Sequence, residues 1–425
     1  MTDRDLTGLL ERASADLPEV DFASDAWADA YAAQSRRRRR LTTGVGAVAA
    51  AALAVGAVQV WGTDGSANRT PTPAVTATTP PVTGTLADGT AYAELPLEGK
   101  ESELPWLDVG LPRVIDPKAP VIKFAAVTVP LSSAAGVYLR PVGRNYQPVV
   151  VAPEGKQFLA ESVTLVPTRD NGGNELVPLG AKSVGGRWAA FPQPGKVVLL
   201  DLFTGESRSV AVPPTYVESV GWSPSNDHVV VRGANRRVWT LDPWKPGAKA
   251  VEVDDTTPTG MSRLWVSSDT GSLGVARYEL GSGRPLGQRS ITTPVDALDG
   301  IPVGSATWVA SGAFLDQSLT SEVIRRGNGP IYQGVVAVRP DQGKAKLLLA
   351  PENPDGQEGR YKGCCTPLAW WSASTVLLQT NGSHGSWILA WNVDTGEVSR
   401  VTRIAYDPKT DAAPPQLALN MGWRY

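Results

Sequence analysis

Two adjacent cysteines, Cys364 and Cys365, are the only cysteines in the chain and lie in the stretch RYKGCCTPLAWW. Four kinds of chemistry are open to such a pair: a disulfide between neighbours, half of a metal site, a reactive pair, or two small buried side chains. Zinc takes four ligands, with cysteines commonly two or more residues apart, and the chain has only two histidines, His228 and His384. The pattern disfavours zinc, and a disulfide requires an oxidising compartment.

Catalytic residues leave no recognisable spacing in this sequence. The Gly-x-Ser-x-Gly elbow of serine hydrolases does not occur. Paired carboxylates for glycoside hydrolysis come from different strands and leave no sequence signature, so Asp296, Asp299 and Asp316 are candidates only by their place in loops. The sequence therefore favours a non-catalytic protein without a cofactor, and leaves an enzyme as the alternative.

The N-terminal part of the chain indicates the compartment. Residues 1–35 have a net charge of −6, from eight acidic residues and two arginines, and Arg36, Arg37, Arg38, Arg39 and Arg40 follow. The next stretch, residues 41–61, contains no charged side chain and ends at Trp61. As a helix it spans about 31 Å, enough to cross the hydrocarbon core of a bilayer. Arginines stay in the cytoplasm and tryptophan suits the membrane interface. The sequence predicts a transmembrane helix over 41–61, with the N-terminus inside and the rest outside.

Three other interpretations of residues 41–61 are a cleaved signal peptide, a twin-arginine export signal and a buried soluble helix rich in Ala and Gly. Length and flanking residues favour an uncleaved anchor. Residues 62–89 are rich in Thr and Pro and predict an extended linker. We therefore divide the chain into a cytoplasmic acidic segment (1–40), a transmembrane helix (41–61), a linker (62–89) and an extracytoplasmic domain (90–425).

The cytoplasmic segment has a short amphipathic pattern, with Leu6, Leu9, Leu10 and Ala13 on one helical face and acidic residues opposite. This pattern suits either docking to a basic cytoplasmic partner or a soluble tail. The five arginines beside the predicted span indicate contact with anionic lipid and a role in topology. We expect no nucleic-acid partner.

The extracytoplasmic domain consists of short apolar runs broken by Gly, Pro, Asp and Asn. Five tryptophans recur at intervals of 34, 43, 43 and 63 residues: Trp188, Trp222, Trp265, Trp308 and Trp371. Strands that end in acidic turns, such as LLDLFTGES, TLDPWKPGA and NVDTGEV, alternate with them. Two hairpins per 40-odd residues form one four-stranded blade. We predict an all-β propeller of six or seven four-stranded blades with these tryptophans packed between blades; the alternative is an array of β-sandwiches.

Two motifs resemble known propeller families. WSPSNDHVVV resembles the strand–turn–strand of TolB-like and tryptophan–aspartate propellers, with Asn226-Asp227 in place of Asp-Gly. AWNVDTGEVSR resembles the docking motif of quinoprotein propellers, with Arg400 in place of its Trp. In methanol-dehydrogenase-like quinoproteins a vicinal disulfide covers pyrroloquinoline quinone, so that resemblance implies a role for the cysteine pair. The whole layout resembles envelope proteins of high-GC Gram-positive bacteria, some of which are similar to membrane-bound anti-sigma factors.

The sequence thus predicts a single-pass protein of the cell membrane whose propeller binds or senses an envelope protein or a cell-wall ligand. We expect Cys364 and Cys365 to form a structural vicinal disulfide in the oxidising compartment. One alternative is an extracytoplasmic enzyme, quinoprotein-like or a glycan hydrolase. Another is an anti-sigma-like signalling protein with a cytoplasmic partner for residues 1–35.

Overall fold

A computed structural model describes residues 82–421 of the chain, apart from 98, 171–172, 214–215, 224, 234–236, 255–261, 268–271, 280–282, 306, 316–332, 351–363, 383–384 and 407–413. The predicted cytoplasmic segment, the five arginines, Trp61 and the predicted span therefore lie outside the described residues. No helix within the described ranges is long and apolar enough to cross a membrane.

The described chain begins with four short strands and two single-turn 3-10 helices (Glu101–Glu103 and Phe124–Ala126). These strands are β1 (Thr83–Thr85), β2 (Ala91–Glu94), β3 (Val114–Ile115) and β4 (Ile122–Lys123). The next strands are β5 (Gly136–Val142), β6 (Asn145–Val151) and β7 (Gln157–Leu159), followed by a separate hairpin of β8 (Thr168–Arg169) and β9 (Glu175–Leu176).

Two complete four-stranded sheets follow, each a meander of antiparallel strands. Blade 2 consists of β10 (Val184–Gly185), β11 (Trp188–Gln193), β12 (Lys196–Asp201) and β13 (Ser207–Ala211). Blade 3 consists of β14 (Val217–Trp222), β15 (Val229–Gly233), β16 (Val238–Leu241) and β17 (Val251–Val253). Tight turns connect them; Gly195, for example, has a φ of +67° in the two-residue turn between β11 and β12.

The remaining strands form a three-stranded sheet, two further blades and a closing strand. The three-stranded sheet consists of β18 (Ser262–Val266), β19 (Leu273–Tyr278) and β20 (Pro285–Ile291). Blade 4 consists of β21 (Val295–Gly304), β22 (Val309–Leu315), β23 (Gln333–Arg339) and β24 (Lys344–Leu349). Blade 5 consists of β25 (Thr366–Trp370), β26 (Thr375–Gly382), β27 (Gly385–Asn392) and β28 (Val398–Ile404), and β29 (Leu417–Leu419) follows it.

The C-terminal strand closes the ring. β29 pairs with β5 and completes blade 1 in the order β29-β5-β6-β7, with Leu417 opposite Tyr138 and Leu419 opposite Gly136. The side-chain amide of Asn420 then donates to the carbonyl oxygen of Gly186 in blade 2 (2.7 Å). A blade built from both ends of the domain is how a propeller removes its open edges.

The core lies between blades, and this position explains why the strands are apolar on both faces. In β12, the five residues after Lys196 are all buried. Buried clusters join blade 1 to blade 2, blade 2 to blade 3, the three-stranded sheet to blade 4, and blades 4, 5 and 1 to one another. The described chain is therefore an all-β propeller, as predicted.

The predicted number of blades is wrong. The described residues form five sheets of at least four strands, and the sheet between blades 3 and 4 has three. The three-stranded sheet lacks a fourth strand because the connection that follows it is short. Only residues 292–294 separate β20 from β21, the innermost strand of blade 4. That connection is too short to return along β20 as a fourth strand, since a strand commonly needs about five residues.

An unpredicted element, the N-terminal belt (residues 82–123), adds parallel strands to the outer edges of three blades. β2 pairs with β24 of blade 4, β3 with β28 of blade 5, and β4 with β7 of blade 1. The belt starts inside the predicted linker, where Thr83–Thr85 pairs with β2 through a turn at Asp88 and Gly89 (φ +87°). It covers strand edges that would otherwise be open to pairing with other chains.

The centre of the belt is fastened to blade 5 around Trp106. The guanidinium groups of Arg400 and Arg113 lie 4.5 and 5.3 Å from the centroid of the Trp106 ring, and the Trp387 ring lies 6.4 Å away. The backbone N–H of Leu107 donates to the Arg400 carbonyl (2.9 Å), and the Arg400 N–H donates to the Pro105 carbonyl (2.9 Å). Arg400, which stands where the quinoprotein motif has a tryptophan, thus stacks on a tryptophan of the belt.

Candidate interaction surface

The acidic turns that repeat along the sequence have a common structural basis. Each connects the third and fourth strands of a blade, and its Asp or Asn side chain accepts a backbone N–H from two residues later. Asp201 accepts from Phe203 (2.9 Å), Asp242 from Trp244 (2.7 Å), and Asn392 from the residue after Val393 (3.0 Å). Such side chains replace a backbone acceptor and fix the turn. The turns of blades 2 and 3 position the residues described next.

Trp188, the first residue of β11, lies at the centre of a cluster of aromatic and arginine side chains. The Trp244 ring meets it edge-on, with centroids 6.2 Å apart and an interplanar angle of 80°. The guanidinium groups of Arg208 and Arg187 lie 5.3 and 6.0 Å from the Trp188 ring centroid. Both geometries are favourable, because a π face attracts cations and the positive edge of another ring. We call these four residues the Trp188–Trp244 surface.

Hydrogen bonds hold both arginines of this surface in place. Arg187 donates through Nε to Oδ2 of Asp201 (2.6 Å), whose side chain is only 2% exposed. The hydrogen bond to Asp201 and the charge of Asp201 raise the pKa of Arg187 above its ordinary value. Arg208, on β13, donates to the backbone carbonyls of Pro243 and Lys245 in the turn of blade 3. The surface therefore spans two blades and is ordered before any partner arrives.

The outer part of the Trp188–Trp244 surface is open to solvent. Trp244 is 52% exposed, and the Arg187 side chain is 46% exposed. Tryptophan and arginine dominate the binding energy of protein interfaces, since they combine large apolar area with hydrogen-bonding groups. The arrangement can stack against and hydrogen-bond a partner, and it contains no nucleophile or general base.

The other tryptophans of the repeat lie within or between blades. Trp222 of blade 3 packs on Gly185 of blade 2 and donates its indole N–H to the Ser183 carbonyl (3.3 Å). Trp370 of blade 5, which the sequence analysis did not single out, makes the corresponding bond to the Val303 carbonyl of blade 4 (2.9 Å). The remaining three are Trp308, buried before β22; Trp265, against Gly274 within its own sheet; and Trp371, half-buried after β25.

Cys364 and Cys365 directly precede β25 and are each 1% exposed. The structure joins them by a disulfide, and the peptide bond between them is cis. They belong to the core cluster of blades 4, 5 and 1, and the Cys365 carbonyl oxygen closely approaches Gly312 of blade 4. The cysteine pair is thus part of the packing between blades, whereas the Trp188–Trp244 surface belongs to blades 2 and 3.

The carboxylate candidates are not brought together with the Trp188–Trp244 surface. Asp296 and Asp299 lie on β21 of blade 4, while Asp316 and His384 lie outside the described residues. His228 lies in the β14–β15 turn of blade 3, where its Nδ1 is 2.9 Å from Oδ1 of Asp227. Within the described ranges, no group of three or more His, Cys, Asp or Glu side chains could hold a metal ion.

No protein-family model and no curated protein matches the sequence. Similar solved structures include a hydrazine synthase from Kuenenia stuttgartiensis, with 13% identity over 62% of this chain and 79% of that chain and a TM-score of 0.37. TolB from Acinetobacter baumannii shares 12% identity over 67% of this chain and 66% of that chain (TM-score 0.38). BamB from Moraxella catarrhalis shares 15% identity over 61% of this chain and 73% of that chain (TM-score 0.28). Because these values are low, the propeller assignment rests on the strand order of the chain itself.

Sequence reasoning missed Trp244 and Arg208. It took TLDPWKPGA only as a repeated acidic turn and treated Trp188 as packing between blades. A signal was present, because Trp244 lies in a turn between Pro243 and Pro246, where a large aromatic side chain has little core to enter. The position of Arg208 across from that turn depends on pairing between distant strands and had no local signal.

Proposed function

We propose that this chain is a single-pass membrane protein that presents its propeller outside the cell and binds an envelope protein, without catalysis. The N-terminal sequence supports the location through its arginines and uncharged stretch. The Trp188–Trp244 surface supports binding. Its decisive feature is Trp244, which is large, apolar and 52% exposed, yet held edge-on to Trp188 by an ordered turn.

A protein partner suits this surface, because Trp244 and Arg187 are open to solvent side by side on two neighbouring blades. Arginines already held by Asp201 and by backbone carbonyls lose little side-chain entropy when a partner binds. Truncation of a tryptophan at the centre of such a contact typically costs about 2 kcal/mol or more of binding free energy.

The test is co-purification of the full-length protein from native membranes, with wild type, Trp244→Ala and Leu286→Ala compared by quantitative mass spectrometry. Leu286 is a matched control, because it is also 52% exposed but lies on β20 of the three-stranded sheet and is not part of the Trp188–Trp244 surface. We expect an envelope protein to be depleted at least tenfold with Trp244→Ala and retained with Leu286→Ala. Identical partner sets for all three proteins would contradict a binding role for this surface.

Topology needs its own measurement. A membrane-impermeant maleimide should label Leu286→Cys in intact cells and should label Ser35→Cys only after the membrane is opened. The native cysteines are 1% exposed, so they contribute little background in the folded protein. Labelling of Ser35→Cys in intact cells would contradict the proposed orientation.

A further inference from the structure

A second surface of arginine and tryptophan side chains lies where the N-terminal belt crosses blade 5. On the belt, Trp106 is 37% exposed and lies beside the largely buried Trp387 of β27, with ring centroids 6.4 Å apart. Arg113, also on the belt, is exposed, and its guanidinium lies 5.3 Å from the Trp106 ring centroid. On blade 5, the exposed Arg403 pairs with Trp387 across β27 and β28. We define the belt–blade 5 surface as Trp106, Arg113, Val114, Arg400 and Arg403.

The pairing of β3 with β28 decides which side chains of this surface face solvent. Val114 pairs with Arg403, and Ile115 pairs with Ile404. Successive side chains point to opposite faces of a strand. Ile115 (1% exposed) and Ile404 (0%) face the core, so Val114, which is 51% exposed, and Arg403 face outward. An aliphatic side chain and a guanidinium group are therefore displayed side by side.

The three arginines of this surface have no carboxylate partner. Within the described part of the chain none of them forms an ion pair. The Arg400 side chain donates to the Ser102 carbonyl, which is uncharged. The guanidinium groups of Arg113 and Arg400 both stack on the Trp106 ring, within about 10 Å of each other, which is one Debye length at 0.1 M salt. These like charges repel, so an anion placed among them is attracted.

The acidic side chains that lie near this part of the belt in sequence are engaged elsewhere. Glu103 pairs with Lys100, with 2.9 Å between the carboxylate oxygen and Nζ. Asp108 accepts the backbone N–H of Gly110 (2.9 Å), as in the acidic turns of the blades. The positive charge of the belt–blade 5 surface is therefore left for a group outside the described chain.

We propose that the belt–blade 5 surface docks on anionic lipid headgroups, with its arginines on lipid phosphates and Trp106 and Val114 in the interfacial layer. The planar guanidinium group matches a phosphate through paired hydrogen bonds, and tryptophan favours the membrane interface. Buried apolar area together with attraction to anionic lipid is what holds a protein on a bilayer. A soluble polyanion would engage the arginines but leave Val114 in water.

The proposed membrane anchor makes such a small surface sufficient. Only residues 62–81 separate the predicted span from the first described residue of the belt, and a tether turns docking into an intramolecular step at high effective concentration. Blade 3 lies three sheets from blade 5 in both directions around the ring, so docking at blade 5 leaves the Trp188–Trp244 surface free. The inference rests on the proposed location in the membrane and not on that surface.

The experiment measures whether position 114 enters the lipid interface in the full-length protein. A nitroxide on Val114→Cys is read in nanodiscs of phosphatidylcholine alone and of phosphatidylcholine with about one-third phosphatidylglycerol. We expect its accessibility to a water-soluble nickel chelate to fall severalfold when the anionic lipid is present, and to recover at high salt. The control label is at Trp244→Cys, because Trp244 (52% exposed) matches Val114 (51%); it should stay accessible in both lipids.

Two double variants assign the docking to the arginines. Arg113→Gln with Arg403→Gln should lower the ratio of docked to undocked protein roughly 25-fold, since each basic side chain near an anionic surface contributes about fivefold. The label at position 114 should then be equally accessible in both lipids. Lys196→Gln with Lys249→Gln removes the same charge from exposed positions of blades 2 and 3 and should behave as the parent protein.

The proposal is overturned if phosphatidylglycerol does not protect the label at position 114, or if the two double variants behave alike. Protection by added poly(glycerol phosphate) but not by phosphatidylglycerol would also overturn it, in favour of a wall polymer. A chain that does not insert into nanodiscs would instead contradict the proposed location. The same label, read with liposomes of the two compositions, then still tests the surface.

Discussion

Trp106→Ala should release the N-terminal belt from blade 5 while the blades stay folded. Trp106 is 37% exposed, so roughly 160 Å² of a side chain of about 250 Å² is covered by its neighbours. At about 25 cal/mol per Å² this burial contributes about 4 kcal/mol, which is an upper limit because an unfolded belt keeps some contacts. Each of the two stacked arginines adds about 0.5–1 kcal/mol. We expect the variant to lose about 3–4 kcal/mol of the free energy that holds the belt closed.

Hydrogen exchange measured by mass spectrometry on the full-length protein reports this opening directly. The amides of Leu107, Arg400 and Arg403 donate across the boundary between the belt and blade 5. A loss of about 3–4 kcal/mol predicts exchange at these amides that is faster by a factor of about 100 or more. Trp244→Ala removes another tryptophan that has no contact with the belt and should leave these amides unchanged. Unchanged exchange in Trp106→Ala would refute the account of the belt.

Three further predictions concern the propeller itself. Trp222→Phe loses the hydrogen bond to Ser183 and part of the packing on Gly185, so urea unfolding should show a stability about 1–3 kcal/mol lower than that of the wild type. The control variant Trp244→Phe should change the stability by less than about 0.5 kcal/mol. If both variants lowered the stability equally, the interblade role of Trp222 would be contradicted. Burial raises the pKa of Tyr138 to about 12 from 10.0, so between these values the unfolded chain ionises while the folded chain keeps its proton, and stability should fall as pH rises. In Tyr138→Phe the stability should fall less steeply over this pH range than in the wild type. Equal slopes of stability against pH in the two proteins would contradict the raised pKa of Tyr138. Finally, alkylation under denaturing, non-reducing conditions should label neither Cys364 nor Cys365, whereas full labelling of both would contradict the disulfide between them.

The blades could be predicted because their signals are local. From blade 2 to blade 5 each inner hairpin carries a tryptophan, and the outer turns of blades 2, 3 and 5 carry an Asp or Asn that binds its own backbone, namely Asp201, Asp242 and Asn392. Apolar runs on both strand faces indicate burial between two layers. These features depend on residues close in sequence, so a single sequence is enough to recognise them.

The belt could not be predicted, because its pairing is distant in sequence and brief. β3 and β4 are two residues each, which is too short for an apolar period to show. The partner of β3 is distant in the sequence, since Val114 pairs with Arg403, 403 − 114 = 289 residues further along the chain. Within the belt, only the Asp88-Gly89 pair is a sequence pattern that predicts a hairpin. The Thr/Pro-rich composition around it favoured a linker instead.

Only part of the interaction surface could be predicted from the sequence. Trp188 was identified as part of the repeat. A tryptophan in a strand of a blade is expected to be a core residue unless the neighbouring blade is known. The turn that contains Trp244 comes from that neighbouring blade, and Arg208 joins the two through the Pro243 and Lys245 carbonyls. Exposure of a side chain is a property of the assembled fold, so sequence alone could not assign it.

The most direct test of the proposed function is photo-cross-linking in native membranes, with a photoreactive amino acid placed at position 244 and, as the control, at position 286. The two native side chains are equally exposed, and only the first belongs to the Trp188–Trp244 surface. The proposed function predicts a cross-link from position 244 to one envelope protein that position 286 does not form. A membrane-anchored binding role for this surface is contradicted if position 244 gives no cross-link, or gives the same products as position 286.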